Sequence, residues 1–338
     1  MLRFIFNKFF QICLCLRLIV FSIEGAELQT PLKFNQKLMG TDVTLIIDAD
    51  DCSDLRDAVR HAYKEGNRLN MILSDWEADS ELSVLSRSSR IGAYINISEE
   101  LFDVLSFSRD LSVQTAGAFD ITVGPLSRLW RIARHQKKFP NQSKLDQTLR
   151  RTGYKNLELY EANQSARLTK QNMVLDLGAV AKGYIADRML AVLMERGFPR
   201  CLIDAGGDLT IGDPPRSKNG WSVKIGGLAN SHTELLVLSN CAVATSGDLE
   251  QFLEINGKIY SHIINPKTGA GMEGRAQVSV VAKRGMIADA LASTCLVIGF
   301  DQAKAILSKW DFYQLQFLKI DPNTNEVMVS RARSPSWE

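Results

Sequence analysis

Two oxygen-bearing side chains occur in an otherwise apolar stretch near the C-terminal end of the chain. Asp289 and Ser293 are four residues apart in a segment predicted to be helical, so both project from one helix face. A buried carboxylate is unfavourable unless a cation compensates it. Carboxylate and hydroxyl oxygens suit a hard cation such as Mg²⁺. Alternatively, Asp289 caps the helix or forms a salt bridge near its start. The spacing alone leaves both interpretations open.

A second candidate lies where a predicted strand, residues 174–177, turns into a helix that begins near Ala179. Asp176 closes the strand and Lys182 falls in the first helical turn. Helix N-termini attract anions, whereas a lysine there opposes the helix dipole. A nearby anion such as a phosphate would therefore account for a lysine at this position. The alternative is an exposed lysine whose stem lies along the surface.

The four histidines give one weaker candidate. His61, His135, His232 and His262 include no pair at a zinc-ligand spacing. His262 lies in an extended segment beside a predicted turn, where an imidazole can accept a proton. A purely structural histidine is the commoner case, so this residue alone does not define a site.

The glycines at 269, 271 and 274 match the dinucleotide-binding pattern G-x-G-x-x-G. That site requires a helix directly after the glycines, but a strand-like run, residues 277–282, follows here. We therefore predict a β-hairpin. The sequence also lacks a G-x-S-x-G nucleophile motif and a phosphate-binding GxxxxGK[ST] loop.

The elements around these residues predict an α+β fold, because strands and helices do not alternate regularly. The basic, polar segment 131–144 is predicted to be a surface excursion. The predicted strands are 42–49, 174–177 and 312–320, and the predicted helices are 53–74, 99–116, 179–196 and 286–298.

Composition sets the remaining limits. The chain has 338 residues, 45% hydrophobic and 23% charged, which is typical of a globular protein. A net charge of +2 without a basic stripe argues against nucleic-acid binding. Residues 1–26 have basic residues followed by an apolar run, which predicts a signal peptide or an uncleaved N-terminal membrane anchor. Residues 27–338 are predicted to form a single domain.

Eight blocks in order give the sequence a family resemblance that covers roughly residues 36 to 310. The blocks are MGT at 39–41, DSELS at 79–83, TAGAFDITVGP at 115–125, LDLGAVAKGY at 175–184, AGGDL at 205–209, ATSGD at 244–248, YSHIINPKTG at 260–269 and ADALA at 288–292. With these blocks the chain resembles the ApbE-type flavin transferases. The resemblance implies a two-lobed α+β fold of mixed sheets with helices.

The resemblance also implies residue roles. A metal would be bound by the carbonyl of Ala179, the carboxylate of Asp289 and the hydroxyl of Ser293, and His262 would be the essential histidine. FAD would be bound by Met39, Trp76, Ala118, Phe119, Asp120, Asp176, Lys182 and Ile264. Lys182 would also assist catalysis.

Three positions depart from the usual pattern of the family. Trp76 replaces a tyrosine, which still permits stacking. Ser293 stands where threonine is common and Thr294 follows it, so the hydroxyl ligand could be either residue. Asn265 stands where aspartate is frequent, which puts the rate or the substrate range in question.

The implied activity is transfer of FMN from FAD to a Thr or Ser hydroxyl of an acceptor protein, with Mg²⁺ or Mn²⁺ as the cofactor. Relatives of this kind modify subunits of membrane redox complexes, and export implies the periplasmic side, possibly at the inner membrane. Two alternatives stay open on the sequence: an exported FAD-binding protein without transferase activity, and a Mg²⁺-dependent FAD pyrophosphatase.

Overall fold

An eight-stranded antiparallel sheet lies at the centre of the computed structural model, which describes residues 30–90, 92–230, 232–247, 252–255 and 257–337. The strands of the described residues are β1 (Leu32–Leu38), β2 (Thr41–Ile47), β3 (Ile95–Asn96), β4 (Leu157–Tyr160), β5 (Ser165–Leu168), β6 (Cys201–Ala205), β7 (Asp208–Ile211), β8 (Trp221–Ile225), β9 (Glu234–Leu238), β10 (Cys241–Gly247), β11 (Phe252–Ile255), β12 (Lys258–Ile264), β13 (Gly271–Glu273), β14 (Ala276–Ala282), β15 (Tyr313–Ile320) and β16 (Val327–Arg333). The order in the large sheet is β1-β2-β6-β7-β10-β14-β15-β16.

Helices pack against one face of this sheet, and the mixture of helices and strands confirms the predicted α+β class. The α-helices of the described residues are α1 (Ser53–Leu73), α2 (Glu81–Ser88), α3 (Glu99–Gln114), α4 (Gly124–Gln136), α5 (Gln142–Leu149), α6 (Ala181–Glu195), α7 (Gly285–Ile298) and α8 (Phe300–Leu307). Three smaller sheets join β11-β12-β13, β3-β5-β4 and β8-β9.

Alternation along β10 shows how the central sheet separates two cores. Ala242 and Ala244 belong to the main core, which includes residues of α1, α6 and α7. Cys241 and Val243 point the other way, into a second cluster under the β8–β9 hairpin. Because successive side chains of a strand point to opposite faces, the next even-numbered residue, Ser246, lies on the side of α7.

Two glycines allow α6 and α7 to cross at backbone contact. A Cβ at Gly183 would lie 2.1 Å from the carbonyl oxygen of Gly285, and a Cβ at Gly285 would lie 2.6 Å from that of Gly183. Asp187 of α6 secures the same crossing, because its carboxylate accepts hydrogen bonds from the N–H groups of Gly285 (2.6 Å) and Met286 (3.1 Å). These contacts fix the start of the helix that carries Asp289.

Most of the predicted elements are confirmed. Helices α1, α3 and α7 agree with the predictions to within two residues, and the glycine-rich turn is a β-hairpin of β12 and β13. The strand predicted at 174–177 is wrong, because this segment forms only a single bridge between Val174 and Val123. The basic, polar segment 131–144, predicted to be a surface excursion, is largely exposed, and it contains the end of α4 and the start of α5.

Residues 31–338 form one compact unit. The N-terminal segment predicted to be a signal peptide or anchor, residues 1–26, lies outside the described residues. Among the helices that are described, none combines the length and the apolarity needed to cross a bilayer.

Candidate functional site

Asp289 is a carboxylate enclosed by an apolar helix. Its side chain is buried, and Oδ2 accepts a hydrogen bond from the N–H of Gly183 at 3.3 Å. This N–H is one of the unpaired donors at the start of α6. Burial raises the pKa of Asp289 to about 7, Lys182 lowers it and Asp208 raises it. The ionised form of Asp289 is therefore poorly compensated by the protein.

Lys182 and Asp208 form an ion pair beside Asp289. The ammonium group of Lys182 contacts Oδ2 of Asp208, and Oδ1 of Asp208 accepts a hydrogen bond from the N–H of Thr245 at 3.1 Å. Lys182 thus meets an anion, one of the two alternatives that the sequence left open, but this anion is a carboxylate of the protein. Two carboxylates share one lysine here, which leaves a net negative charge when both are ionised.

Ser293 lies one turn after Asp289, and its hydroxyl is 2.9 Å from the hydroxyl of Ser246 at the end of β10. The neighbouring hydroxyl, Thr294, is buried and donates to the carbonyl of Ala290 at 2.6 Å. Because Thr294 turns back onto its own helix, Ser293 is the hydroxyl that faces the sheet. This geometry favours Ser293 over Thr294 as the ligand.

The donors present suit a hard cation. Ala179 lies just before α6, and its carbonyl accepts no backbone hydrogen bond from a described residue. A carbonyl, a carboxylate and a hydroxyl are the oxygen ligands that Mg²⁺ prefers, and the uncompensated negative charge favours a divalent ion. The part of the chain that the structure describes holds no group of three or more His, Cys, Asp and Glu side chains that could bind a metal ion, so this candidate set depends on the carbonyl and the hydroxyl beside one carboxylate.

A second group, around Arg131, joins Asp176 to Trp76. The guanidinium of Arg131 lies 3.0 Å from Asp75 and 3.7 Å from Asp176, and it stacks at 4.1 Å from the centre of the Trp76 ring. Burial and the nearby Asp176 raise the pKa of Asp75, while Arg131 lowers it. Trp76 is 72% exposed, so its ring is available to a ligand while Arg131 fixes its orientation.

The predicted FAD ligands at 118–120 are part of the protein interior. Ala118 and Phe119 are buried. Oδ1 of Asp120 accepts from the N–H and the hydroxyl of Thr122, and Oδ2 accepts from the N–H of Tyr154 at 2.8 Å. Burial raises the pKa of Asp120, and these hydrogen bonds lower it. The structure thus shows this triplet shaping a loop, and its contact with FAD stays a prediction.

Met39 occupies the turn between β1 and β2 in an unusual conformation. Its φ is +53° and that of Gly40 is +73°. A non-glycine residue in this left-handed region costs on the order of 1 kcal/mol or more and is often found at functional sites. Met39 is half-buried against the main core.

His262 and Ile264 lie on β12, a strand that contacts both α4 and α7. Pairing of β12 with β13 is irregular between Tyr260 and Ile264, where three residues of β12 face one of β13. Such bulges redirect side chains and are frequent beside active sites. His262 is half-buried within the bulge, whereas Ile264 is buried in a cluster with α4.

The sequence analysis missed four residues of the site: Asp75, Arg131, Asp208 and Ser246. Asp208 and Ser246 lie within two of the eight family blocks, AGGDL and ATSGD. The blocks drew attention to these residues but did not indicate what they contact. Asp75 directly precedes Trp76 and could have been noticed for that reason. Arg131 had no signal of its own, because basic residues are common in the surrounding segment.

The chain is similar to several curated proteins of one name. The "FAD:protein FMN transferase" of Escherichia coli (strain K12) is 29% identical over 275 residues, which is 78% of this chain and 76% of that protein. The protein of the same name from Buchnera aphidicola subsp. Schizaphis graminum is 28% identical over 319 residues, 90% of each chain. That from Treponema pallidum is 28% identical over 275 residues, 76% of each chain.

Solved structures define the class. The flavin transferase ApbE from Vibrio cholerae has a TM-score of 0.77 at 25% identity, over 90% of this chain and 97% of that one. An ApbE protein from Thermotoga maritima shares the fold, with a TM-score of 0.76 at 23% identity, over 90% of this chain and 97% of that one. The architecture is therefore that of the flavin-transferase fold. The model of the ApbE family matches residues 39–316, and the chain belongs to this family.

Proposed function

We propose that this chain is an FAD:protein FMN transferase that moves the FMN half of FAD onto a Thr or Ser hydroxyl of an acceptor protein. The observation that carries the proposal is Asp289, a buried carboxylate on an apolar helix, beside the Ser293 hydroxyl and the Lys182–Asp208 pair. It occurs in a member of a family whose curated relatives have this name.

The reaction is a phosphoryl transfer. The acceptor hydroxyl attacks the phosphorus on the FMN side of the diphosphate, the new O–P bond forms, and the bond from that phosphorus to the bridging oxygen breaks. AMP leaves with the bridging oxygen. His262 accepts the proton of the attacking hydroxyl, a role worth about 10² to 10⁴ in rate. Lys182 stabilises negative charge on the phosphates or the leaving group.

Mg²⁺ or Mn²⁺ would be held by Asp289, Ser293 and the carbonyl of Ala179, and when bound would neutralise charge on the diphosphate oxygens. The fit rests on the donors described above. Trp76 would stack on an aromatic ring of FAD, with Arg131 holding its other face. Met39, Asp176, Lys182, Ile264 and the 118–120 triplet would complete the FAD site.

The N-terminal segment supports a location outside the cytoplasm. Its basic start and apolar run favour export to the periplasmic side, either as a free protein after cleavage or as one anchored to the inner membrane. Acceptors at that location would be subunits of membrane redox complexes. Expression of the full chain with a C-terminal reporter, followed by cell fractionation, tests this location.

The activity is tested with the purified chain, FAD, MgCl₂ and a purified flavin-carrying subunit of a membrane redox complex. We expect the acceptor mass to increase by one FMN with an equal amount of AMP released. AMP with free FMN and an unmodified acceptor would indicate a pyrophosphatase, and FAD binding without cleavage would indicate a carrier. Either result overturns the proposal.

His262→Gln tests the proton acceptor. We expect this variant to bind FAD normally and to lose transfer by about 10² to 10⁴. His135→Gln is the matched control, because His135 is exposed near the end of α4 and lies outside the site. Equal transfer rates in the two variants would contradict the role of His262.

A further inference from the structure

We propose that a basic cavity beside Trp76 binds an acidic, partly apolar segment of the acceptor protein. The basic cavity lies between α2, α4, α5 and residues 172–175, with a volume of about 620 Å³. This inference rests on the proposed function, because it assigns a binding surface to the protein that receives FMN.

Positive side chains dominate the lining of the basic cavity. Its basic residues are Arg87, Arg90, Arg128, Lys144 and Arg151. The acidic side chain in the lining is Asp75, and Asp75 already pairs with Arg131. The basic cavity therefore presents a surplus of positive charge, although the whole chain has a net charge of only +2.

These cations have no ionic partners within the described residues. Arg87 donates to the carbonyl of Ala78, and none of the five basic residues forms a salt bridge with a carboxylate of the described chain. By contrast, Arg131 on the same helix as Arg128 pairs with two carboxylates. Grouped charges without partners repel one another, and they attract an anionic ligand at long range.

The lining of the basic cavity also includes apolar side chains. Pro125, Leu129, Ile132 and Met173 line it, and Ile132 is 49% exposed although it is a large aliphatic residue. Trp76 adds an exposed aromatic ring at the edge. A surface that combines exposed apolar and charged side chains suits protein docking. The five basic side chains are all exposed. In a binding site for a small anion they would instead be buried and would point towards one position.

The position of the basic cavity suits a segment of the acceptor protein. The lining includes Trp76 but not Met39, Asp176, Lys182 or Asp289, so the basic cavity adjoins the proposed FAD site without overlapping its other residues. Helix α4 connects the two regions, since Arg128 faces the cavity while the indole N–H of Trp130 donates to the carbonyl of Gly269 at 2.8 Å, in the turn after β12. A segment bound in the cavity would thus lie next to Trp76, at the edge of the FAD site.

The test uses two synthetic peptides of equal length, each with one Thr between Leu residues. In one, Asp and Glu flank this core, and in the other Asn and Gln replace them. Peptide binding to the full chain with FAD is measured by titration calorimetry at low and high NaCl. The variant is Arg128→Glu/Arg151→Glu. The control, Lys309→Glu/Lys319→Glu, makes the same change of charge at exposed positions outside the cavity.

We expect the wild-type chain to bind the acidic peptide on the order of tenfold more tightly than the neutral one at low salt, with a smaller ratio at high salt. The cavity variant should lose this preference and the control should keep it. FAD affinity should be the same in all three proteins. Equal binding of both peptides, or an equal preference in the cavity variant, would overturn the inference.

Other occupants give different results. Weaker FAD binding in the cavity variant would assign the cavity to the nucleotide, and binding of vesicles with anionic lipid without any peptide preference would assign it to a membrane. Both outcomes overturn the inference. Transfer of FMN is scored separately by peptide mass. A peptide that binds selectively without receiving FMN would contradict the proposed function and leave the docking surface intact.

Discussion

Replacing Asp289 by Asn should make the metal-free protein more stable, although it removes a central residue of the site. Burial raises the pKa of Asp289 from 3.8 to about 7. The folded protein therefore holds this proton more tightly than the unfolded chain does. Stability from the protonated form is fully present below pH 3.8 and is lost as the pH rises to about 7. The difference of about three pKa units corresponds to about 4 kcal/mol.

Asn resembles the neutral carboxylic acid in shape, and its side-chain oxygen can still accept the hydrogen bond from Gly183. Asp289→Asn should thus raise the free energy of unfolding at pH 8 in EDTA by up to about 4 kcal/mol. The gain should shrink as the pH falls towards 4, because the wild-type carboxyl is then neutral in both states. Urea unfolding at a series of pH values, followed by circular dichroism, measures this difference.

MgCl₂ provides the second half of the experiment. A cation that binds only the folded protein stabilises it by about 2.7 kcal/mol at 100 times its Kd. We expect this stabilisation in the wild type and not in Asp289→Asn, which should also lose transfer activity. If the variant is less stable than the wild type in EDTA at pH 8, or if MgCl₂ stabilises both equally, the reasoning about Asp289 is refuted.

Three further substitutions test how the site is positioned. Arg131→Ala should raise the KM for FAD by about tenfold with little change in kcat, because it removes a stacking contact and two ion pairs worth on the order of 1 kcal/mol. A decrease in kcat as large as the increase in KM would contradict this. Gly183→Ala should destabilise the protein by about 3 kcal/mol or more, because the new methyl group clashes with the backbone of Gly285. Gly40→Ala has open space around it and should lower the free energy of unfolding by only about 1 kcal/mol. The midpoints of urea unfolding distinguish the two variants. Asp187→Asn should raise the Mg²⁺ concentration for half-maximal activity, because it weakens the contacts that fix the start of α7. An unchanged Mg²⁺ requirement would show that these contacts do not influence the site.

The sequence was most informative where one residue type broke a pattern. The helix of Asp289 was predicted correctly because a single carboxylate interrupts a long apolar run, and the helical period places Ser293 on the same face. Which of Ser293 and Thr294 faces the sheet was not predictable, because it depends on Ser246 from a distant strand. The direction of each hydroxyl is visible only when the helix is packed against its sheet.

The missed and mistaken elements have physical causes. The sequence analysis assigned no helix to residues 131–144, because the apolar face of α4 begins earlier, at Leu126, Leu129 and Trp130. The segment 174–177 was read as a strand because Leu175 and Leu177 are apolar. Both are buried, so the pattern correctly indicated burial. Apolar alternation does not show whether a neighbouring strand is present to complete a ladder.

The charge of the site could not be obtained from the sequence by any local argument. Lys182, Asp208 and Asp289 come from three separate segments, and their effects on one another depend on how α6 and α7 cross. The backbone contact of Gly183 with Gly285 brings the start of α6 close enough for its N–H to reach Asp289. One lysine then serves two carboxylates, and the positive charge among the described residues is less than the ionised site needs. If a divalent cation supplies the missing charge, as proposed above, neutralising either Asp208 or Asp289 should reduce the stabilisation that MgCl₂ gives to the folded protein.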